Sequence, residues 1–284
     1  MKLFIAGLGY TASRLIATQG HAFDRITGTV RSADKRAQLT GLDIDLFDGS
    51  VASSETLAKA ASADVVLISV PPSPSGDAVL DHFATAIADG AARRVIYLST
   101  VGVYGDHAGA WIDEDTVPEP ELDRTVSRLA VERRWRDLLG DRLAVLRLAG
   151  IYGPGRNALV ELSRGRARRI VKPGQVFNRI HTDDIARAIM AAIVSDYGGT
   201  WNICDDEPAP PQDVIAYAAK LMGIAPPPER PFETAELSPM ARSFYASNRR
   251  IRNTRMKDEL GVTLAYPTYR AGLDALWQAG EGRQ

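Results

Sequence analysis

Residues 2–20 read KLFIAGLGYTASRLIATQG. An apolar run of strand type, KLFIAGL (2–8), passes directly into GLGYTA (7–12), a G-x-G-x-x-A turn, and then into a helical pattern. Each small residue has a physical reason to be there. Gly7 permits the tight turn, Gly9 lets the backbone approach a pyrophosphate, and Ala12 allows the helix to pack close on the sheet. Tyr10, Thr11 and Ala12 open that helix, whose first N–H groups and dipole favour an anion. A glycine turn with no ligand is the plain alternative.

Working outward, the same type of apolar run recurs at RITGTV (25–30), DIDLF (43–47), DVVLISV (64–70), RRVIYLS (93–99) and LAVLRLA (143–149). Their Val/Ile/Leu character suits strands buried on both faces. Helical patterns such as SSETLAKAAS (53–62) and DAVLDHFATAIADG (77–90) lie between them. Strand and helix in alternation predict an α/β fold: a doubly wound parallel sheet with right-handed crossovers, of Rossmann type. The alternation breaks near residue 150, and proline-rich connectors follow at 205–213 and 225–231. We therefore expect a dinucleotide-binding domain over 1–157, completed by about 176–204. A smaller C-terminal substrate lobe would comprise 158–175 and 205–284.

Composition narrows the function classes. With 284 residues, 45% of them apolar, the chain can bury an ample core. A net charge of -1 argues against nucleic acid or an anionic membrane as the main partner. Cys204 is the sole cysteine, which rules out an intramolecular disulfide and fits a reducing cytoplasm. No stretch is long and apolar enough to span a bilayer, and no metal-ligand spacing stands out. The expectation is a soluble, cytoplasmic protein with a small-molecule substrate.

The second strand should end in the group that reads the adenosine ribose. An acidic residue there would favour NAD. The sequence instead reads GTVRSADKR (28–36), with Arg31 at the strand tip and Ser32 beside it. A guanidinium and a hydroxyl suit a 2′-phosphate, so NADP(H) is expected over NAD(H). The alternative is a solvated surface arginine. Val70 and Pro71, at the end of the fourth strand, are further cofactor candidates.

The stretch YLSTVGVYG (97–105), the pair Asp113–Glu114 with prolines after it, RLAGIYGPG (147–155) and RIHTDDIARAI (179–189) together resemble the extended short-chain dehydrogenase/reductase family, which includes sugar-nucleotide epimerases and dehydratases. The resemblance covers nearly the whole chain. It implies a cleft between sheet and lobe, with Thr100 holding the substrate oxygen. It also implies Ser99, Ile151 and Tyr152 near the cofactor, Tyr104 and Arg179 near substrate, and dimers through the helix after the prolines.

That helix carries Y-x-x-x-K in the resembled family, where the Tyr moves a proton and the Lys holds the nicotinamide ribose. Matching SRLAVE (127–132) places Arg128 at the lysine and Arg124 at the tyrosine, and no Tyr lies between Tyr104 and Tyr152. Losing a general acid–base costs roughly 10²–10⁴-fold, and a guanidinium does not replace it because it stays protonated. Arg128 would still hold the ribose. Arg124 with Arg128 reads either as an anion clamp facing the cleft or as two solvated arginines. His107 and His181 are other proton candidates, although His181 is better read as organising the entry to its helix, with Thr182 or Asp183 as cap. In the resembled family, the regions corresponding to RGRARR (164–169), Arg179 and SNRRIRNTR (247–255) help hold the phosphates or nucleotide of an activated sugar, and the resemblance implies that role here; a solvated basic face is the alternative.

Two functions fit. One is an NADP(H)-dependent oxidoreductase, or an epimerase/dehydratase-like enzyme, on an anionic small molecule, with Thr100, Arg124 and Arg128 at the reacting centre. The other is an NADP(H)-binding sensor without turnover.

Overall fold

The computed structural model describes residues 1–73 and 76–283. Seven parallel strands form the central sheet: β1 (Lys2–Ala6), β2 (Arg25–Val30), β3 (Asp43–Leu46), β4 (Val65–Ile68), β5 (Arg94–Thr100), β6 (Leu143–Leu148) and β7 (Gly199–Ile203). Their spatial order is β7-β6-β5-β4-β1-β2-β3. The order reverses between β1 and β4, which opens a crevice beyond their carboxyl ends, where doubly wound sheets bind ligands.

Alternation along each strand builds two cores. In β1, Leu3 and Ile5 face one layer with Leu67, Ile96 and Leu146, against the helices Tyr10–Gln19 and Thr182–Val194. Phe4 and Ala6 face the other layer with Val66, Val95 and Tyr97, against Phe83 and Trp135. Both faces are covered, so the strands read as continuous apolar runs rather than as alternating ones.

Most strand ends shift by only one or two residues from the sequence reading. The first strand stops at Ala6, not at residue 8, because Gly7 turns the chain with φ +91°. No helix is long and apolar enough to cross a membrane among the described residues.

Beyond the sheet, three two-stranded pairings tie distant segments together. Gly150–Tyr152 pairs with Arg179–His181, Arg169–Val171 with Glu229–Pro231, and Trp111–Ile112 with Arg250–Ile251. Helices Pro211–Leu221 and Tyr269–Gln278 pack with Ala158–Ser163 around Leu159, Ala218 and Leu273.

Candidate functional site

The turn after β1 is shaped for close approach by a ligand. A Cβ at Gly7 would lie 2.4 Å from Val70 Cγ2, so only glycine fits beside the β4 end. A Cβ at Gly9 would meet nothing within 4 Å, and its exposed backbone faces open space. Gly9 precedes the Tyr10–Gln19 helix, which has neither a capping side chain nor an acidic residue in its first turn. Its first N–H groups are therefore available to an anion. The Gly7 N–H donates to Thr29 Oγ1 (3.1 Å), locking the turn to β2.

This turn forms part of a cavity of about 830 Å³. Gly7, Gly9, Arg31, Ser32, Val70 and Pro71, cofactor candidates from the sequence, all line it. Lys35, Asp48, Gly49 and Ser69 line it too and were not singled out from sequence. Asp48 and Gly49 follow β3 directly, so the strand-end argument applied to β1 and β4 would have found them. Ser32 also caps the short helix Ala33–Ala37, accepting the Lys35 N–H at 3.3 Å, which fixes Arg31 and Lys35 on the same rim. The Asp48 carboxylate accepts from Ser50 N–H and Oγ (2.9 and 2.6 Å), and these bonds hold its pKa below the ordinary range.

The remaining expected cofactor contacts fall elsewhere. Ser99 is buried and donates to Glu132 Oε1, which pairs with buried Arg147 (Nη2 to Oε2, 2.8 Å). Its hydroxyl faces this internal ion pair and not the crevice. Tyr152 is buried against Gly272, where a Cβ would come within 2.1 Å of its hydroxyl, and burial pushes its pKa up. Ile151 is half-buried and pairs with Ile180 in the small sheet. The Tyr10 hydroxyl donates to the Pro154 carbonyl (3.0 Å), while Thr11 and Ala12 are buried against the sheet and offer only their backbone.

At the β5 end, Thr100 Oγ1 accepts the Gly102 N–H (3.1 Å), capping the short turn Val101–Tyr104 and leaving its own O–H free to donate. Tyr104 does not contact the cleft as expected. It is fully buried, its hydroxyl donates to Asn202 Oδ1 (2.9 Å), and the Arg147 guanidinium lies 4.8 Å from its ring centre. Arg128 donates from Nη1 to the Leu98 carbonyl (2.8 Å) and lies over Tyr97 at 5.8 Å. Arg124, one turn earlier, is exposed and sits 5.1 Å from the Phe244 ring.

Neither histidine is poised for proton transfer. The His107 ring Nε2 lies 3.0 Å from the Tyr104 carbonyl. His181 is buried between Tyr152 and Tyr266, and burial pulls its pKa down to about 4. Its Nδ1 accepts the Asp183 N–H (3.2 Å), so His181 itself caps the Thr182–Val194 helix, in place of Thr182 or Asp183. The Asp183 carboxylate is instead held by Arg14 in a two-point contact between helices.

The arginine-rich segments of the lobe do not converge on a phosphate site. Arg166 pairs with Glu161, Arg169 with Glu229, and Arg255 with Asp115 (2.7, 2.6 and 2.6 Å). Arg168, Arg249 and Arg250 donate to the carbonyls of Glu236, Gly105 and Gly109. Arg179, expected at the substrate, bridges the Phe177 and Ala209 carbonyls (2.9 and 3.0 Å). Those two carbonyls also accept each other's N–H groups in an antiparallel bridge, so the Arg179 fork takes their remaining lone pairs.

No family model matches the chain. A solved conserved protein of unknown function from Silicibacter pomeroyi DSS is 46% identical, with a TM-score of 0.88 over 99% of both chains. The structure of a candidate NAD-dependent epimerase/dehydratase from Methylobacillus flagellatus is 26% identical, with a TM-score of 0.75 over 98% of both chains. Protein YeeZ of Escherichia coli (strain K12) is 29% identical over 80% of this chain and 85% of its own length. A 3-diazoavenalumate denitrifying reductase from Streptomyces is 28% identical over 68% and 67%. The chain belongs to the same family as the Silicibacter pomeroyi protein and shares the architecture of the NAD-dependent epimerase/dehydratase proteins.

Proposed function

We propose that the protein is an NADP(H)-dependent oxidoreductase of the epimerase/dehydratase type, acting on an anionic small molecule. The observation that carries this reading is the open crevice at the β1–β4 switch, with Gly7 and Gly9 at its floor and an uncapped helix N-terminus above it. The preference for NADP(H) rests on Arg31, Ser32 and Lys35 along one rim, where a 2′-phosphate would take paired charge-assisted bonds. The Methylobacillus flagellatus protein is described with NAD, so this preference is specific to these three side chains and is tested separately from binding itself.

A bound nicotinamide supplies or accepts a hydride. The chain's own part is to position the reactants. Backbone N–H groups at Tyr10 to Ala12 would hold the pyrophosphate, and the Thr100 O–H would donate to the substrate oxygen. Arg128 braces the β5 end through the Leu98 carbonyl and would offer its remaining N–H groups to the ribose. With Tyr104 and Tyr152 both buried and engaged, a water would exchange the proton.

A second reading, an NADP(H) sensor, is favoured by one observation: Tyr104 and Tyr152, the tyrosines flanking the gap, are both buried and engaged. Deuteride transfer from labelled NADPH to a panel of carbonyl compounds separates the two. Transfer that is lost in Thr100→Ala supports the enzyme. Tight NADPH binding with no transfer to any compound supports the sensor.

A further inference from the structure

Most arginines of this chain end on a carboxylate or a carbonyl, and Arg124 does not. Among the described residues its one recorded partner is the Phe244 ring, 5.1 Å away. The two side chains come from segments 120 residues apart in the chain. Arg124 is in the first turn of the Asp123–Leu139 helix, and Phe244 follows the short lobe helix Pro239–Ser243. Tyr245, the next residue, turns inward to stack on Phe232 (4.9 Å) in the lobe's own small core. Phe244 turns outward and stays 55% exposed.

The position relative to the reacting centre is set by Arg124's neighbour. Thr125 is buried against the turn that Thr100 caps, so tightly that a Cβ at Gly102 would lie 3.0 Å from Thr125 Cγ2. Arg124, the preceding residue of that helix, therefore lies near the segment that Thr100 caps. A guanidinium with no carboxylate partner offers a planar two-point fork to an incoming carboxylate. An exposed phenyl ring offers a face to an aromatic ring. A neutral sugar would leave the guanidinium fork without its anion, and Arg166, Arg169 and Arg179 of the lobe are engaged internally.

We infer that Arg124 and Phe244 form a two-part recognition element for a planar aryl carboxylate, the guanidinium taking the carboxylate and Phe244 stacking on the ring. In the free protein the Arg124 guanidinium lies over the Phe244 ring. The ligand's carboxylate draws Arg124 from the ring and its aryl group takes the vacated face. This deepens the proposed function and rests on it, since the ligand must lie beside the bound nicotinamide to react.

The test is calorimetry of NADPH-saturated protein with trans-cinnamate, its neutral amide, hexanoate and UDP-glucose. Cinnamate should bind more tightly than the other three. Arg124→Ala should weaken cinnamate by about 10–100-fold and leave the amide unchanged. Arg124→Lys should fall between, because it keeps charge without the fork. Phe244→Leu should weaken cinnamate by about 2–10-fold and leave hexanoate unchanged. All three variants should retain NADPH affinity, which reports an intact fold. Cinnamate binding that is absent, no tighter than the amide's or UDP-glucose's, or indifferent to the substitutions overturns the inference. If the parent fails to bind NADPH, the proposed function is what fails, and the same comparison on the free protein decides the recognition element.

Discussion

Arg147 Nη2 lies 2.8 Å from Glu132 Oε2, and both side chains are less than a tenth exposed. The pair joins β6 to the Asp123–Leu139 helix, and Ser99 on β5 donates to the same carboxylate. Breaking such a pair strands a charge in the core. Glu132→Leu alone or Arg147→Met alone should each destabilise the protein by about 3–5 kcal/mol, whereas the double substitution should recover most of that loss. Urea unfolding midpoints of the three variants check this. A double variant no better than the singles would contradict it.

Gly7 and Gly9 should separate folding from binding. Alanine at Gly7 meets a left-handed backbone and Val70 Cγ2 at 2.4 Å, so Gly7→Ala should lose both thermal stability and cofactor affinity. Gly9 has φ -88° and free space, so Gly9→Ala should melt as the parent does and still lose NADPH affinity, by about tenfold or more. Melting curves with and without NADPH show both effects.

Selectivity between the two cofactors should reside in the rim. Arg31→Ala should weaken NADPH by about 10–100-fold and leave NADH binding unchanged, because only NADPH carries the 2′-phosphate. Lys35→Ala should act in the same direction and less strongly. Equal losses for both cofactors would place Arg31 at the pyrophosphate instead.

Two buried groups oppose each other in pH dependence. Burial lowers His181 from 6.5 to about 4, so on acidification the unfolded chain takes the proton first. Its stabilisation is full above pH 6.5 and is lost as pH falls towards 4. Asp205 is fully buried with Oδ2 unpartnered among the described residues, and burial raises it from 3.8 to about 8 despite the nearby Arg179. The folded protein keeps that proton when the unfolded chain has released it, so stability is full below pH 3.8 and falls as pH rises towards 8. Between pH 6.5 and 8 Asp205 is the one of these two groups that acts. The parent should lose up to about 2 kcal/mol across that window relative to Asp205→Asn. Parallel urea titrations at the two pH values measure the difference.

The fold was legible because its signals are local. Apolar runs of strand length, helical spacing between them and GLGYTA at the first junction all lie within a few residues of what they specify. The crevice followed from the same strand-end logic, which extends to Asp48 and Gly49. Side-chain partners were not legible where they depend on contacts far along the chain. Asp183 looked like a helix cap, but Arg14, 169 residues earlier, takes its carboxylate and leaves the cap to His181. Arg249 looked like a phosphate ligand, but it reaches the Gly105 carbonyl, 144 residues away. A guanidinium carries five donors on a flexible stem, so its sequence neighbours say little about which acceptor it finds.

The most direct measurement is a calorimetric titration of the purified protein with NADPH, repeated with NADH. The account predicts one site per chain, with NADPH bound more tightly and the difference removed in Arg31→Ala. Absence of heat with either cofactor, at protein concentrations that would reveal micromolar binding, would contradict it and leave the glycine turn a purely structural element.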